Sequence, residues 1–154
     1  MHILSLDQGT TSSRAILFSL DGRAQASAQQ EIEQIFPTPG HVEHDPEQIF
    51  ATQLSTARSV LRKHPTGGRD IQAIGIANQR ETVLLWEAST GKPIDNAIVW
   101  QSRITAPICE KLKADGLESL VRKRTGLRLD PYFSGTKIQY HLIVRPRQQR
   151  QVVA

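Results

Sequence analysis

Alternating apolar and polar residues at the start of the chain predict an antiparallel β-meander. The first strand is predicted over residues 2–6 and the second over residues 14–20. Asp21-Gly22 is the strongest short hairpin signal and leads into a third strand over residues 24–33. The segment 37–40 has the sequence PTPG, which is incompatible with regular structure, so the third strand must end before it.

A helix is predicted to begin at Asp45-Pro46-Glu47. The Asp45 side chain is placed to cap free amides, Pro46 suits the first helical position, and Glu47 complements the positive end of the helix dipole. The segment 64–68, with the sequence HPTGG, ends the helix. One face is expected to pack on a sheet because apolar residues recur at helical spacing, namely Ile49, Phe50, Leu54, Ala57, Val60 and Leu61.

The remaining sequence mixes predicted strands and helices. A strand over residues 71–77 is expected to be buried, and further strands are predicted over 81–86 and 97–100. Two helices are predicted over 106–114 and 117–124, each followed by a glycine that can end it. This order of elements predicts an α/β fold, with a mixed sheet and flanking helices.

The charge is unevenly distributed. The chain has 19 Lys and Arg against 15 Asp and Glu, a formal net charge of +4. Residues 1–121 hold 11 basic and 14 acidic residues, whereas residues 122–154 hold 8 basic and 1 acidic. The basic excess is therefore confined to the C-terminal fifth. Its final three arginines supply few phosphate contacts and the aromatic residues are few and scattered, so no nucleic-acid partner is expected.

The cysteine content and the hydropathy of the chain restrict its expected cellular location. A single cysteine, Cys109, cannot form an internal disulfide, and no Cys/His spacing suggests a metal site, so a reducing, cytoplasmic location is expected. No apolar run approaches the ~18 residues of a membrane span. The first residues lack the basic and apolar regions of a signal peptide, so an untargeted, soluble protein is expected.

The polar loop after the first strand is the first candidate site. Asp7 is followed by the small polar run 9–13, with the sequence GTTSS, and then by Arg14. Clustered amides and hydroxyls suit phosphate oxygens, and a carboxylate suits a hydrated Mg²⁺ that bridges phosphates. The loop lacks the G-x-x-x-x-G-K-[ST] pattern, so it is not a Walker-type P-loop. An ordinary polar β-turn is the alternative interpretation.

Two further regions are candidates for ligand binding. Arg80 and Glu81 lie between two apolar runs and offer donors and acceptors to a polyhydroxy substrate; an Arg–Glu ion pair at the sheet edge is the alternative. Trp100 and Tyr132 would form apolar walls around a small ligand, although a single aromatic side chain more often belongs to the core.

Six stretches, in order and in register, resemble the FGGY carbohydrate kinases and, within that family, the glycerol kinases. They are DQGTTSSR (7–14), GHVEHDP (40–46), GIANQRET (75–82), GKPI (91–94), AIVWQ (97–101) and DPYFSGTK (130–137). The resemblance covers residues 1–140 as part of the family's N-terminal domain. It implies an actin-like, ribonuclease-H-like α/β domain that is incomplete here. Ile104, where the family commonly has Arg, and Pro107 depart from the pattern.

The resemblance also implies roles for individual residues and ATP, Mg²⁺ and glycerol as ligands. Nucleotide phosphates would be contacted by four residues of the first loop, Thr10, Thr11, Ser12 and Arg14. Asp7 would hold Mg²⁺ through water. The glycerol pocket would be lined by Arg80, Glu81, Trp100 and Tyr132, the first two hydrogen-bonding the hydroxyls.

The resemblance places no catalytic residue in this chain. Family members are several times longer, and their catalytic aspartate, adenine-binding segments and second domain lie downstream of these residues. Phosphoryl transfer requires nucleophile, metal and phosphate to be positioned together, so we expect this chain to be inactive alone. Full-length family members form homo-oligomers. The alternative is a non-catalytic binding or regulatory module that pairs with a separately encoded kinase part.

The C-terminal residues 141–154 are interpreted as a basic tail foreign to the family. They contain Arg145, Arg147 and Arg150 and no acidic residue, as a frameshift or early stop would produce. Because the central strands would lack neighbours, exposed apolar surface and low solubility are also expected.

Overall fold

The computed structural model describes residues 1–144 and the backbone of residues 152 and 153. Two compact units are present, Met1–Gln34 with Asp45–Gln79, and Ile35–His44 with Arg80–Ala154. The elements are β1 (His2–Gln8), β2 (Ser12–Ser19), β3 (Ala24–Glu31), β4 (Glu43–His44), α1 (Pro46–Lys63), β5 (Ile71–Ala77), β6 (Trp86–Glu87), β7 (Ala97–Ile98), α2 (Ala106–Ala114), α3 (Glu118–Thr125), α4 (Ser134–Val144) and β8 (Val152–Val153). The predicted α/β class is confirmed.

The first unit is a four-stranded mixed sheet with one helix packed against it. The strand order is β3-β2-β1-β5, with β1, β2 and β3 antiparallel and β5 parallel to β1. The predicted meander is confirmed, and Gly22 in its hairpin has a φ of 83°, which favours glycine. Because β1 and β5 are parallel, Asp7 and Ala77 are register partners at the carboxyl edge of the sheet.

Helix α1 is confirmed, and its buried face was predicted in part. Val60 packs with Leu4, Ala15 and Leu17 of β1 and β2 in the core of the unit. Phe50, expected on the packed face, is 67% exposed. Thr52 and Thr56 are buried on the same side as Val60 instead, and the Thr52 hydroxyl donates to Gln48 O at 2.8 Å. The predicted face is confirmed at Val60 and Ala57 and wrong at Phe50, because threonines with satisfied hydroxyls can be buried in place of apolar residues.

The N-terminus of α1 supplies a stability prediction. An Asp45 carboxylate oxygen accepts from the Glu47 N–H at 2.9 Å. We expect Asp45→Ala to lower the free energy of unfolding by about 1 kcal/mol, because a helix amide loses its cap. The matched control is Asp115→Ala, at the C-terminal end of α2, where an acidic side chain opposes the helix dipole. Urea unfolding measures both, and equal losses would contradict the assignment.

Strand β5 is confirmed at residues 71–77, but its predicted burial was wrong. It is the edge strand of the sheet, and every residue after Ile71 in it is exposed. Ile74 is 58% exposed and Ile76 is 75% exposed. They pair in register with Leu4 and Leu6 of β1, whereas α1 contacts β1, β2 and β3. The expected exposed apolar surface is therefore present on β5.

The second unit contains α2, α3, α4 and short strand pairs. Strand β4 pairs antiparallel with β7, and β6 pairs antiparallel with β8. The strand predicted over residues 81–86 was wrong. Glu81 has a φ of 61°, outside the extended region, and after it only a Val83–Ile98 bridge precedes β6. The strand predicted over 97–100 is shorter, at Ala97–Ile98.

The helices of the second unit were predicted in part. Helices α2 and α3 are confirmed, and α3 ends at Gly126 with a φ of 75°, a left-handed cap. Helix α4 was not predicted, and residues 141–144 of the proposed tail belong to it. Arg145, Arg147 and Arg150 lie outside the described residues. Within the described part of the chain, no helix has the length and apolar character needed to cross a membrane.

Candidate functional site

The loop that joins β1 to β2 is closed by its own backbone. The Gly9 N–H donates to Ser12 O at 3.0 Å, and the Ile32 N–H donates to Thr11 O at 2.9 Å. A Cβ on Gly9 would lie 3.0 Å from the Ser12 carbonyl oxygen, so a larger residue there would force the turn to shift by a few tenths of an ångström. The loop is thus a tight, preorganised turn at the carboxyl edge of the sheet.

Two glutamine side chains from outside this loop donate hydrogen bonds to its backbone. Gln34 donates to Thr10 O at 2.9 Å, and Gln79 donates to Gly9 O at 3.4 Å. Together with the backbone bonds, these contacts occupy the carbonyl oxygens of residues 9–12. Occupied carbonyls repel a bound anion less than free ones, which favours phosphate at this turn. The sequence reasoning assigned no role to either glutamine, although Gln79 lies within one of the quoted motifs.

Strand alternation separates the polar side chains of β2. Ser13 is fully buried and its hydroxyl bonds Gln8 at 2.9 Å and Thr52 at 2.7 Å. Arg14, by contrast, is exposed and donates to Gln29 Oε1 at 2.9 Å, while Gln29 donates to the Ser12 hydroxyl at 2.9 Å. Gln29 therefore holds the Ser12 and Arg14 side chains on the same side of β2. The Ser13 side chain points to the buried side and has a structural role.

Asp7 meets the requirement for a water-mediated magnesium ligand. It is half-buried in β1 and is the register partner of Arg14 in β2. Among residues 1–144, no side chain forms a hydrogen bond or ion pair with its carboxylate. A carboxylate without protein partners beside a turn of amides and hydroxyls is the donor set that hydrated Mg²⁺ uses.

In the second unit, Glu81 is fixed by the start of α4. Its Oε2 accepts from the Ser134 backbone N–H at 2.8 Å and from the Ser134 hydroxyl at 2.7 Å. Neither bond uses Oε1, which leaves that oxygen available to a ligand hydroxyl. The left-handed backbone of Glu81 is held by these contacts, and such strain is common at functional sites.

The two predicted aromatic walls lie together. The rings of Trp100 and Tyr132 are 5.6 Å apart between centroids and meet edge to face. Tyr132 also contacts Phe133, with centroids 5.0 Å apart, and remains 37% exposed. Arg80 is exposed, and no ion pair joins it to Glu81 within the described residues, so the alternative of a paired Arg–Glu edge is not realised.

Lys137 is a functional candidate that the sequence reasoning missed. It is fully buried, and its ammonium donates to Pro131 O at 2.7 Å and to the carbonyl oxygens of Tyr132 and Phe133. Burial lowers the pKa of Lys137 to about 8, so it is still largely protonated at pH 7. The Lys137 ammonium group thereby fixes the backbone of residues 131–133, which carries the Tyr132 ring. The available signal was a lysine four to six residues after the carbonyls, with no other Lys, Arg, Asp or Glu in residues 131–144.

Comparison with known proteins identifies the family. The sequence model for the FGGY family of carbohydrate kinases, N-terminal domain, matches residues 2–153. The chain belongs to the FGGY family of carbohydrate kinases. The match extends past residue 140, the end of the resemblance seen in the sequence motifs, and the division into 1–140 and a tail stays a prediction.

Relatives in this family are similar in sequence but much longer. A glycerol kinase of Ralstonia nicotianae is 59% identical over 141 residues, which is 92% of this chain and 28% of that protein. One of Leptothrix cholodnii is 55% identical over 149 residues, covering 97% of this chain and 30% of the relative. The chain therefore spans under a third of the length of these relatives.

Solved structures agree on the fold. A glycerol kinase of Plasmodium falciparum with ADP superposes with a TM-score of 0.86 at 31% identity, covering 97% of this chain and 30% of the other. A sugar kinase of Brucella ovis reaches 0.88 at 23% identity, over 99% of this chain and 32% of the other, which supports the fold alone. The actin-like kinase fold expected from the sequence is confirmed.

Proposed function

We propose that this chain forms the glycerol- and phosphate-binding part of an ATP-dependent glycerol kinase. The observation that carries the proposal is Glu81, held in a left-handed backbone by two bonds from Ser134, in the same unit as the Trp100–Tyr132 pair. The named relatives at 55% to 59% identity support glycerol as the substrate. A cytoplasmic location stays a prediction.

In the proposed pocket, Glu81 accepts a glycerol hydroxyl through Oε1 and Arg80 donates to the hydroxyls. The Trp100 and Tyr132 rings supply the apolar wall for the carbon chain. A small polyol matches this combination of polar groups and apolar rings. Its hydroxyls need hydrogen-bond acceptors and donors, whereas its CH₂ groups do not. Lys137 supports the pocket by fixing the backbone of Tyr132.

At the β1–β2 loop, nucleotide phosphates are proposed to bind the amides and hydroxyls of Thr10, Thr11 and Ser12, with Arg14 adding positive charge. Asp7 would hold Mg²⁺ through water ligands of the ion. A bound Mg²⁺ would neutralise phosphate charge. The protein's own contribution here is orientation, because the loop is already closed by its internal bonds.

The isolated chain is expected to bind glycerol without phosphorylating it. No residue of this chain has been assigned as the base that deprotonates the substrate hydroxyl, and positioning is most of the catalysis in phosphoryl transfer. The purified 154-residue chain, mixed with glycerol, ATP and Mg²⁺, should yield no glycerol 3-phosphate above a protein-free control by mass spectrometry. Saturation-transfer NMR should nonetheless detect bound glycerol. Product formation would refute the inactivity, and absent glycerol binding would refute the proposed pocket.

A second candidate function is a non-catalytic module that pairs with a separately encoded kinase part. The exposed edge strand β5, with Ile74 and Ile76 uncovered, favours it because this apolar surface calls for a partner. Adding the region of the Ralstonia nicotianae glycerol kinase that follows the matched segment should then restore phosphorylation. Failure of the two polypeptides to associate would count against pairing.

A further inference from the structure

At the amino-terminal end of the first sheet, two imidazoles and one carboxylate are close together. His2 begins β1, His64 follows the last residue of α1, and Asp70 immediately precedes β5. One potential ligand atom from each lies within 4.8 Å of the other two, and all three side chains are half-buried. The rings of His2 and His64 are 4.3 Å apart between centroids.

The backbone that carries these side chains is fixed independently of them. The His2 N–H donates to Asp70 O at 3.0 Å, and the His64 N–H donates to Leu61 O at 3.2 Å. Turn bonds from Gly67 to His64 and from Arg69 to Thr66 order the segment between helix and strand. The three side chains are thus brought together by rigid elements, which lowers the entropic cost of holding a ligand.

Hydrogen bonds to Thr66 set the chemistry of two of the groups. The Thr66 hydroxyl donates to an Asp70 carboxylate oxygen, so it must accept from His64 Nδ1, 2.9 Å away. In the neutral imidazole, His64 therefore carries its proton on Nδ1, which leaves the lone pair of Nε2 to a metal ion. The same hydroxyl therefore orients the Asp70 carboxylate as well as the His64 ring.

Asp70 has two further neighbours that a bound cation would meet. His2 Nδ1 is 2.7 Å from Asp70 Oδ2, and the Met1 amino group is 3.4 Å from the same oxygen. A positive ion would take the place of the hydrogen between His2 and Asp70. Tetrahedral zinc with bonds of about 2.0 Å places its ligand atoms about 3.3 Å apart. Side-chain rotations that move the ligand atoms by about 1 Å would bring these three groups to that spacing.

We propose that His2, His64 and Asp70 form a binding site for a divalent transition-metal ion such as Zn²⁺, with Thr66 orienting two of the ligands. Imidazole and carboxylate together favour zinc, cobalt or nickel over magnesium. The site is separate from the phosphate loop, because the five residue steps along β1 from His2 to Asp7 span about 16 Å. Water completes the coordination at this half-buried position.

The test is a Zn²⁺ titration of the 154-residue chain at pH 7 by calorimetry. We expect one saturable site, with affinity at least tenfold weaker in His64→Gln and in Asp70→Asn. Thr66→Val should also weaken binding, because it removes only the orienting hydroxyl. His41→Gln is the matched control, since His41 bonds Thr38 in the other unit and should leave affinity unchanged.

A measurement on the unaltered chain covers the case in which a variant fails to fold. Substoichiometric Co²⁺ should broaden the NMR ring signals of His2 and His64 before those of His41. No saturable zinc site, equal affinity in His64→Gln and His41→Gln, or broadening centred on other histidines would each overturn the proposal. These outcomes are independent of glycerol or nucleotide binding.

Discussion

Replacing Lys137 with methionine is expected to lower the free energy of unfolding of the chain by about 3 kcal/mol. Methionine fills nearly the same volume but cannot donate, so carbonyl oxygens of residues 131–133 lose their charged partner. Each buried acceptor left unsatisfied costs about 1–3 kcal/mol, and rearrangement of the turn in the variant can relieve part of the total. Urea unfolding followed by circular dichroism measures the loss.

The matched control for this substitution is Lys113→Met. Lys113 lies on α2, where its ammonium bonds the exposed Glu110 at 3.0 Å. A surface pair of this kind contributes little, so the control should change stability by less than about 0.5 kcal/mol. Lys137→Met should also weaken the near-ultraviolet signal of the Trp100–Tyr132 contact. Similar losses in both variants would contradict the structural role given to Lys137.

Glycerol binding should fall by about 10- to 100-fold in Glu81→Ala. The reason is that a hydrogen bond to a charged group contributes about 1.5–3 kcal/mol, and Glu81 is the carboxylate proposed to accept a glycerol hydroxyl. The substitution also frees the Ser134 N–H and hydroxyl at the start of α4. An NMR titration of the chain with glycerol measures the change in affinity.

Two further variants separate charge from anchoring in this site. Glu81→Gln retains an acceptor for Ser134 but lacks the negative charge, so it should bind glycerol at an intermediate strength. Glu110→Gln makes the same chemical change on the exposed face of α2 and should bind as the unaltered chain does. Equal glycerol affinity in all three variants would remove Glu81 from the proposed pocket. Unchanged glycerol binding together with lost stability would make its role purely structural.

Local signals account for the parts of the fold that were predicted well. The β1–β2–β3 meander follows from alternation and one Asp-Gly turn, and α1 follows from Asp45, Pro46 and a glycine-containing stop. Each signal lies within a few residues of its effect. Helix α4 escaped prediction because it begins with Ser134 and Gly135, which have low helix propensity, and because its buried lysine breaks the apolar pattern.

The candidate site residues likewise differ in whether local sequence signals could reveal their roles. The phosphate loop is a single stretch of sequence, so its polar residues could be recognised together, and only the inward direction of Ser13 required the strand register. Glu81 and Ser134 are 53 positions apart, and their contact could not be read from spacing. The support of Tyr132 by Lys137 depends on the burial of the ammonium group, which sequence alone does not reveal.

The sequence by itself determined the order of most elements, the turn chemistry and the family resemblance, because these depend on neighbouring residues and on recognisable motifs. Tertiary structure alone decided that β5 is an exposed edge and that threonines, not Phe50, line the buried face of α1. It alone placed His2 beside His64 and Asp70. Burial and long-range contact depend on which surfaces meet after folding, and that information is absent from any local window of the chain.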